Sequence, residues 1–242
     1  MRRAIAPLPR FFVTPTTSKH RVFVWLSYPT LPDHKLTVFA FADDSSFGLL
    51  HSHIHEVWAL RTGTRLETRP NYTPTTSFDP FPYPRPTAAQ EAAIAAAAQE
   101  LNDLRERWLN PSEWTVERIL QFPGSLTGPW ARYVDAASVD AKTGVGTVRY
   151  PRLEPRDTDC AAKLKKRTLT NLYSERPAWL DLAHKKLDAV VADAYGWPAD
   201  LTDEQILERL LALNLARAGE EEQAAKGKSP RTSREKRDDE LL

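Results

Sequence analysis

Between residues 11 and 82 the apolar positions follow a β-like pattern. Two runs, residues 21–26 and 36–41, are rich in β-branched and aromatic side chains, which favours strands. A third stretch, residues 47–60, mixes strand and helix signals. Residues typical of turns separate the three stretches. The pattern therefore predicts a small β-rich domain over residues 1–86.

A helical pattern begins after a proline-rich segment at residues 81–86, whose composition is that of a stiff, polyproline-like connector. The next predicted element is a helix over residues 87–109, where Thr87 and Gln90 have capping-box spacing. Its apolar residues recur at intervals of four and three, so one face should pack against the protein: Ile94, Ala98, Leu101, Leu104 and Trp108.

The remaining pattern predicts a hairpin, two helices and a tail. Residues 131–134 and 145–150 flank a turn-forming segment, and the helices should span about 177–195 and 203–218. Residues 219–242 are charged and almost free of apolar side chains, so we expect a solvated, disordered tail. The expected core of the helix pair is Leu182, Leu187, Val190, Val191, Ile206, Leu207, Leu210 and Leu211.

The sequence thus predicts an α+β protein in four parts: the β-rich domain at 1–86, a linking helix and hairpin region at 87–160, a helical C-terminal domain at 161–218, and the tail. The chain has 33 Lys and Arg against 32 Asp and Glu, one cysteine, and no apolar run of membrane-spanning length. This composition is typical of a soluble protein of a reducing compartment, most simply the cytoplasm, with no membrane partner.

Positive charge is concentrated near the amino end. Residues 1–32 contain five basic residues and no acid. Within them, hydroxyl and basic side chains precede a predicted strand, a combination that suits contact with nucleic-acid phosphates. An ordinary polar loop remains the alternative. The candidate contacts are Thr14, Ser18, Lys19, His20 and Arg21.

Three alternating histidines, His51, His53 and His55, form the next candidate site. On a strand they would share one face and could converge on a metal. Because the pattern offers no distant fourth ligand, we assign no metal and favour a polar surface strand near DNA. His51, Ser52 and His53 are the candidate DNA contacts of this strand.

A third candidate is the segment of residues 61–72, predicted to be an exposed loop. Arginine, glutamate and asparagine side chains are those that read base edges in the major groove. The alternative is a solvated loop with an incidental ion pair. We select Arg61, Arg65, Glu67 and Arg69 as base-reading candidates, and add Tyr72 with Thr75 and Thr76 as supporting DNA contacts.

No catalytic constellation emerges. Asn110 and Pro111 partly match the Asn-Pro-Pro-Tyr motif of amino-methyltransferases, but Ser112 replaces the second proline and a predicted helix precedes it. We therefore interpret the pair as a helix terminator. The sequence contains neither Gly-x-Gly-x-x-Gly nor a Gly-x-Ser-x-Gly elbow, and Cys160 has no nucleophile context.

Several long motifs are similar to one known family. They include Phe-Gly-Leu-Leu-His-Ser at residues 47–52 and Arg-Thr-Leu-Thr-Asn-Leu-Tyr at 167–173. Together they resemble the C-terminal part of the MmeI-like (type IIL) DNA methyltransferases of restriction-modification systems, over about residues 10–218. The other motifs lie at residues 10–15, 18–26, 55–61, 72–78, 81–82 and 179–184.

The resemblance implies a target recognition domain followed by a small helical C-terminal domain. In the family the S-adenosylmethionine site and the Asn-Pro-Pro-Tyr motif belong to a preceding domain, and any nuclease lies further upstream. We therefore expect a fragment, or a subunit of a class I DNA (adenine-N6) methyltransferase, with no cofactor in this chain. The expected partners are double-stranded DNA and a methyltransferase domain or subunit. Two departures are His53, where arginine is expected, and a shortened loop at residues 64–71.

The proline-rich strand followed by a long helix also resembles the organisation of type I specificity subunits, which is a likeness of layout only.

Two other functions stay open. A protein-interaction module that docks to a methyltransferase with little DNA contact is one alternative, motivated by the alanine-rich residues 92–98 and by the tryptophan-containing helices. A metal-dependent enzyme that uses His51, His53 and His55 is the other.

Overall fold

The computed structural model describes residues 1–66 and 69–227, and its architecture is α+β, as predicted. The helices are α1 (Arg2–Ile5), α2 (Asp44–His51), α3 (His53–Thr62), α4 (Ala88–Leu109), α5 (Thr158–Leu164), α6 (Leu169–Glu175), α7 (Ala178–Ala194) and α8 (Asp203–Gly227). The strands are β1 (Phe11–Pro15), β2 (Val24–Leu26), β3 (Leu36–Phe39), β4 (Thr64–Leu66), β5 (Arg69–Asn71), β6 (Thr115–Ser125), β7 (Val134–Asp135) and β8 (Val145–Pro155). A π-helical turn spans Pro74–Phe78, and 3-10 turns span Ala131–Tyr133 and Ala136–Ser138.

The first three strands form an antiparallel sheet of order β2-β1-β3. Alternation along the central strand sends its side chains to two faces. Phe12 enters the main core, whereas Phe11 and Val13 pack with Ile5 in a smaller cluster on the other side. The predicted strands at residues 21–26 and 36–41 are thus confirmed, although each is shorter than its apolar run.

The stretch of residues 47–60, which has mixed signals, is helical. The prediction of a surface strand that carries the histidines is therefore wrong. Asp43 caps α2 by accepting a hydrogen bond from the Ser46 amide at 2.7 Å, and Ser52 caps α3. The buried residues that follow recur at helical rather than alternating intervals: Phe47, Leu50, Ile54, Val57 and Trp58.

Helix α4 matches its prediction at both ends. Thr87 and Gln90 form the reciprocal capping box, and Asn110 is the C-cap, as expected for a helix terminator. The apolar stripe is buried at Ile94, Ala98 and Leu101 and half-buried at the two positions beyond. Helix α2 approaches this stripe closely, because a Cβ added at its Gly48 would lie 2.8 Å from the Cβ of Ala98.

Strands β6, β7 and β8 form an antiparallel arm. The predicted hairpin exists as the β7–β8 pair, but only two residues of β7 take part. The main partner of β8 is β6, which pairs with it along all eleven residues and was not predicted. Trp130 packs on this pair, its ring 5.1 Å from that of Phe122 and 5.0 Å from that of Tyr150 between centroids.

Helices α7 and α8 confirm the predicted helix pair but correct its core and its end. The buried stripe of α7 runs through Leu180, Leu187 and Val191, so Leu182 lies on the opposite side and is 65% exposed. Leu211 is likewise exposed. Helix α8 continues to Gly227, so residues 219–227 are helical rather than part of a disordered tail, and residues 228–242 lie outside the described residues.

One hydrophobic core runs through the predicted parts. It joins Phe12 and Phe39 of the first sheet to Ile94 of α4 and to Leu187 and Leu210 of the last two long helices. The β-rich segment and the helices therefore have fixed positions relative to each other. Among the described residues, no helix is long and apolar enough to cross a membrane.

A buried charge lies inside this core. Arg105 projects from the apolar side of α4 and is 1% exposed. One terminal nitrogen donates a 2.9 Å hydrogen bond to the carbonyl oxygen of Phe23, and the other lies 3.3 Å from Nε2 of His51. Burial and the nearby guanidinium hold the pKa of His51 well below its usual range, so its imidazole is neutral and can accept.

The same chain of polar contacts continues into the C-terminal helices. The Tyr173 hydroxyl lies 3.1 Å from Nε2 of His51 and 3.0 Å from Nε2 of His184. It can therefore donate to one imidazole and accept from the other. Burial lowers the pKa of His184 to about 4. The contacts thus link Phe23 beside the first sheet, α2, α4, α6 and α7 through buried groups that need one another.

Replacing the buried arginine should destabilise the fold strongly. Arg105→Ala leaves the Phe23 carbonyl without its side-chain donor and removes one of the two groups that contact His51 Nε2. We expect a loss of about 3 kcal/mol in the free energy of unfolding. Arg107→Ala, an exposed arginine of the same helix, should change it by less than about 0.5 kcal/mol. Urea unfolding of both variants measures the difference. Equal stabilities would contradict the structural role of Arg105.

His53 ties α3 to the C-terminal helices. Its Nε2 lies 2.9 Å from Asp203 Oδ1, its Nδ1 lies 3.8 Å from Glu56 Oε2, and its amide donates to Asp188 at 2.7 Å. Hydrogen bonding to Glu56, opposed by burial and reinforced by Asp203, raises the pKa of His53 to about 9. Burial raises the pKa of Asp188 to about 6.

The raised pKa of His53 predicts a pH-dependent stability. The folded state holds the proton more tightly than the unfolded chain, so the stabilisation is complete below pH 6.5 and is lost as the pH rises towards 9. Because the side chain is 43% exposed, we expect only about 1 kcal/mol after solvent screening. Asp188 acts at lower pH, between about 4 and 6, outside this window.

Unfolding titrations at several pH values measure this effect. In His53→Gln the loss of stability between pH 6.5 and 9 should shrink by that amount. The matched control is His34→Gln, an exposed histidine with no acidic partner among the described residues, which should keep the wild-type profile. A wild-type profile in His53→Gln would contradict the assignment.

Candidate nucleic-acid interface

The structure brings two of the three predicted site segments together. The loop between β1 and β2 runs alongside β5: Thr17 bridges to Asn71, the Tyr72 amide donates to the Thr16 carbonyl at 2.7 Å, and the Ser18 amide donates to the Pro70 carbonyl at 3.3 Å. A side-chain hydrogen bond of 3.1 Å from Thr17 to Asn71 adds to these contacts. The basic loop and the arginine-bearing segment therefore form one continuous surface.

Arg21 is part of the scaffold of this surface rather than an exposed phosphate contact. Only 8% of it is exposed. Its guanidinium donates to the Thr14 hydroxyl at 3.1 Å and to the carbonyls of Pro15 and Pro70, and it lies over the Tyr72 ring at 5.0 Å. Burial lowers the pKa of Arg21 to about 10, so the side chain stays charged at neutral pH and links the loop to β5.

Thr14 and Tyr72 are also buried, which corrects their predicted role as DNA contacts. The Thr14 hydroxyl donates to the Val22 carbonyl at 2.9 Å. The Tyr72 hydroxyl lies 3.1 Å from Nε2 of His55, whose Nδ1 lies 2.7 Å from the Leu50 carbonyl oxygen. Burial lowers the pKa of His55 to about 4. These polar groups satisfy one another inside the protein and leave no atom for an external ligand.

The predicted histidine site is dispersed. His51 belongs to the buried Arg105 contacts, Ser52 is the buried cap of α3, and His53 is held by carboxylates of α3, α7 and α8. Because the segment is two helices, His51 and His55 enter the core while His53 points outward. Within residues 1–66 and 69–227, no three His, Cys, Asp or Glu side chains are grouped as metal ligands.

The predicted base-reading loop is largely a hairpin. Strands β4 and β5 pair antiparallel, with Arg65 opposite Pro70 and Leu66 opposite Arg69. Since pairs alternate between faces, the exposed Arg65 and Arg69 belong to opposite faces of this two-stranded ribbon. Glu67, which we also selected, lies outside the described residues.

The base of this hairpin is fixed by a close contact. A Cβ at Gly63, between α3 and β4, would lie 2.6 Å from the Ala59 carbonyl oxygen and 2.7 Å from the Asn71 carbonyl oxygen. Only glycine allows the end of α3 and β5 to approach this closely. The hairpin therefore leaves the scaffold at a defined position.

Other selected side chains remain available on the surface. Lys19 is exposed and donates to the Ser174 hydroxyl at 3.2 Å, and His20 Nε2 lies 3.1 Å from the same oxygen. Burial and the adjacent Lys19 charge lower the pKa of His20, so it serves as a neutral hydrogen-bonding group. The available side chains also include the half-exposed Ser18 and the exposed Arg61, Thr75 and Thr76.

Sequence reasoning missed the residues that join the two segments. Thr17 and Asn71 make the bridge, and Asn71 also donates to the Thr64 hydroxyl at 3.1 Å across the hairpin. No local pattern marks such a long-range pair. Arg105, by contrast, lies four residues after the buried Leu101, so its position on the apolar stripe was visible in the sequence.

Comparisons with known proteins agree with this architecture. The family model described as MmeI, target recognition domain, matches residues 8–85. The type IIL restriction-modification enzyme MmeI, whose structure was solved in complex with DNA, superimposes with a TM-score of 0.59 at 19% identity. The alignment covers 87% of this chain and 21% of the enzyme chain. At this identity the structural likeness establishes the fold alone. No curated protein matches the chain.

The match to the family model lies on the segment that contains the first sheet, the basic loop and the β4–β5 hairpin. Its upper limit falls within the proline-rich connector at residues 81–86. The aligned MmeI structure extends the likeness of fold into the helices beyond. Residues 8–85 therefore form an MmeI-like target recognition domain.

Proposed function

We propose that this chain is the double-stranded DNA recognition module of a restriction-modification enzyme. The bridge between Thr17 and Asn71 is the observation that carries the proposal. It sets a cationic loop directly beside a protruding two-stranded ribbon. Phosphate contacts fix a protein on the duplex, whereas base-edge contacts provide specificity, and this surface offers both kinds of group side by side.

The exposed residues divide between these two tasks. Lys19, with the hydroxyl of Ser18, would neutralise and position backbone phosphates. Arg65 and Arg69 on the ribbon, with Arg61 at its base, would read base edges, because a two-stranded ribbon fits the major groove. Glu67 remains a proposed reader of the same ribbon, and Thr75 and Thr76 remain proposed backbone contacts.

The chemistry would be supplied by another domain or subunit. We infer a class I methyltransferase that modifies the N6 atom of adenine with S-adenosylmethionine in the cytoplasm. Nucleotide-type cofactors bind at the carboxyl ends of parallel strands beside a glycine-rich loop. The described strands pair antiparallel, so this part of the chain does not fit the cofactor. The role of the module would be to hold the duplex in register while its partner flips the target base.

The protein-interaction alternative keeps part of its support. It drew on the alanine-rich residues 92–98 and on the tryptophan-containing helices. Ala97 and Ala98 are buried in the chain's own core, next to α2 and α7, whereas Ala92, Ala93 and Ala96 are exposed. The metal-enzyme alternative fails for the geometric reason given above, since His51, His53 and His55 do not converge.

Removing the loop lysine should weaken DNA binding independently of sequence. Lys19→Ala removes one phosphate contact, so the slope of log K against log salt should decrease in magnitude by about 0.9. Fluorescence anisotropy with duplexes of several sequences measures it. Lys142→Ala, an exposed lysine at the turn before β8, is the control and should keep the wild-type slope. An unchanged slope in Lys19→Ala would remove this residue from the interface.

A ribbon arginine should affect specificity instead. Duplexes that the wild-type chain selects from a randomised pool define its preferred sequence. Arg69→Ala should relax the preference at one base pair, by about 1–3 kcal/mol, and leave binding to random duplexes nearly unchanged. Equal losses on selected and random duplexes would assign Arg69 to the backbone and contradict base readout.

A further inference from the structure

A second cationic segment lies in the C-terminal part of the chain and runs from the end of α5 through α6. Residues 163–176 contain five Lys or Arg side chains and one acid, Glu175. Lys163 is already paired with Asp159 at 2.7 Å. Lys165 and Lys166 are exposed, and no acidic side chain among the described residues pairs with either of them.

The backbone that presents these two lysines is held firmly. The Lys166 carbonyl accepts hydrogen bonds from the Thr168 amide at 3.1 Å and the Asn171 side chain at 2.8 Å. The Thr168 hydroxyl in turn caps α6 by accepting from the Asn171 amide at 3.2 Å. Residues 166–171 are thus held together by their own hydrogen bonds at the start of α6.

Arg167 anchors this turn to the protein. Its guanidinium lies 4.5 Å from the ring centroid of Trp108 and 4.8 Å from that of Trp114, and it donates to the Trp108 carbonyl at 3.2 Å. The Arg167 side chain therefore packs between the end of α4 and the start of the β6–β8 arm. Its neighbours Lys165 and Lys166 remain directed by a fixed backbone towards solvent.

The segment adjoins the phosphate-binding loop proposed above. Leu169 and Thr170 line one groove together with Ser18, Lys19 and His20. One turn further along α6, the Ser174 hydroxyl contacts both the Lys19 ammonium and the His20 ring.

The hydroxyl groups of Thr170 and Ser174 therefore lie beside the Lys19 cation. Since Ser174 is uncharged, its contact leaves the positive charge of Lys19 uncompensated. Thr170 and Ser174 are four residues apart in α6 and so share one face of that helix, and Lys166 precedes the helix in the turn.

We propose that Lys165 and Lys166, with the Thr170 hydroxyl between them and Lys19, form a second backbone-binding site for double-stranded DNA. This inference rests on the proposed function, which supplied no DNA contact beyond residue 76. Exposed lysines attract a phosphate backbone at little desolvation cost, and released counterions provide the free energy. The helical C-terminal part would then grip the duplex jointly with the recognition domain, on one strip of phosphates.

The test compares two double variants that remove the same charge. K165A/K166A removes the proposed contacts. K185A/K186A removes two lysines of α7 that already pair with Asp181 and Glu100. Anisotropy with a selected duplex and a random duplex, between about 50 and 200 mM salt, gives the slope for the full chain and both variants. Circular dichroism and thermal unfolding check the folded state, and K165Q/K166Q repeats the comparison with longer side chains.

We expect the slope for K165A/K166A to fall in magnitude by about two, so that its binding weakens about tenfold less than wild type across that salt range. The loss at a fixed salt should be the same for both duplexes, and K185A/K186A should follow wild type. A wild-type slope in K165A/K166A, or an equal change in both variants, overturns the second site alone. If the wild-type chain binds neither duplex at low salt, the proposed function itself fails, and the second site with it.

Discussion

Arg105 places a charge in an apolar interior, where each polar contact of its guanidinium matters. A carbonyl oxygen next to the first sheet and a neutral imidazole of α2 contact its two terminal nitrogens, whereas its buried Nε has no hydrogen-bond partner among the described residues. The imidazole in turn contacts a tyrosine of α6. Removing one of these hydrogen-bonding groups costs more free energy than the whole set contributes to stability, because the remaining groups are left buried and unsatisfied. The arrangement therefore fixes relative positions more than it adds stability.

Those fixed positions are the ones that the proposed DNA-binding surface needs. Phe23 is the last residue of the basic loop before β2, and Tyr173 immediately precedes Ser174. The buried contacts thus hold the backbone on both sides of the groove where Lys19 and α6 meet. A shift of α4 would separate Lys19 from α6 without touching any exposed residue. The buried contacts of Arg105 therefore determine the geometry of the surface around Lys19.

Local signals predicted the fold well where they act alone. The capping box of α4, the proline and glycine that bracket α7 and the Thr202 cap of α8 each depend on a few neighbouring residues, and all are present. The alternating histidines misled because their period agreed with a strand while two strong caps, Asp43 and Ser52, dictated helices.

The candidate site was harder to predict for a different reason. Basic and hydroxyl residues are equally suited to a surface that binds phosphate and to a buried polar cluster. Composition could not show that Lys19 is exposed whereas Arg21, two residues further along the chain, has its guanidinium over the ring of Tyr72. Only long-range contacts such as the bridge from Thr17 to Asn71 make that distinction, and they leave no mark in one sequence.

The β4–β5 hairpin shows how rigidity and freedom are divided in this domain. Gly63 and Asn71 lock its base against α3, while Arg65 and Arg69 stand on opposite faces outside the hydrophobic core. Substitutions of Arg65 and Arg69 remove no buried contact, so the stability of the fold places almost no constraint on the residue type at these two positions. Residues 65 and 69 can therefore change with the groups that the ribbon contacts, without disturbing the contacts of Gly63 and Asn71 that hold its base.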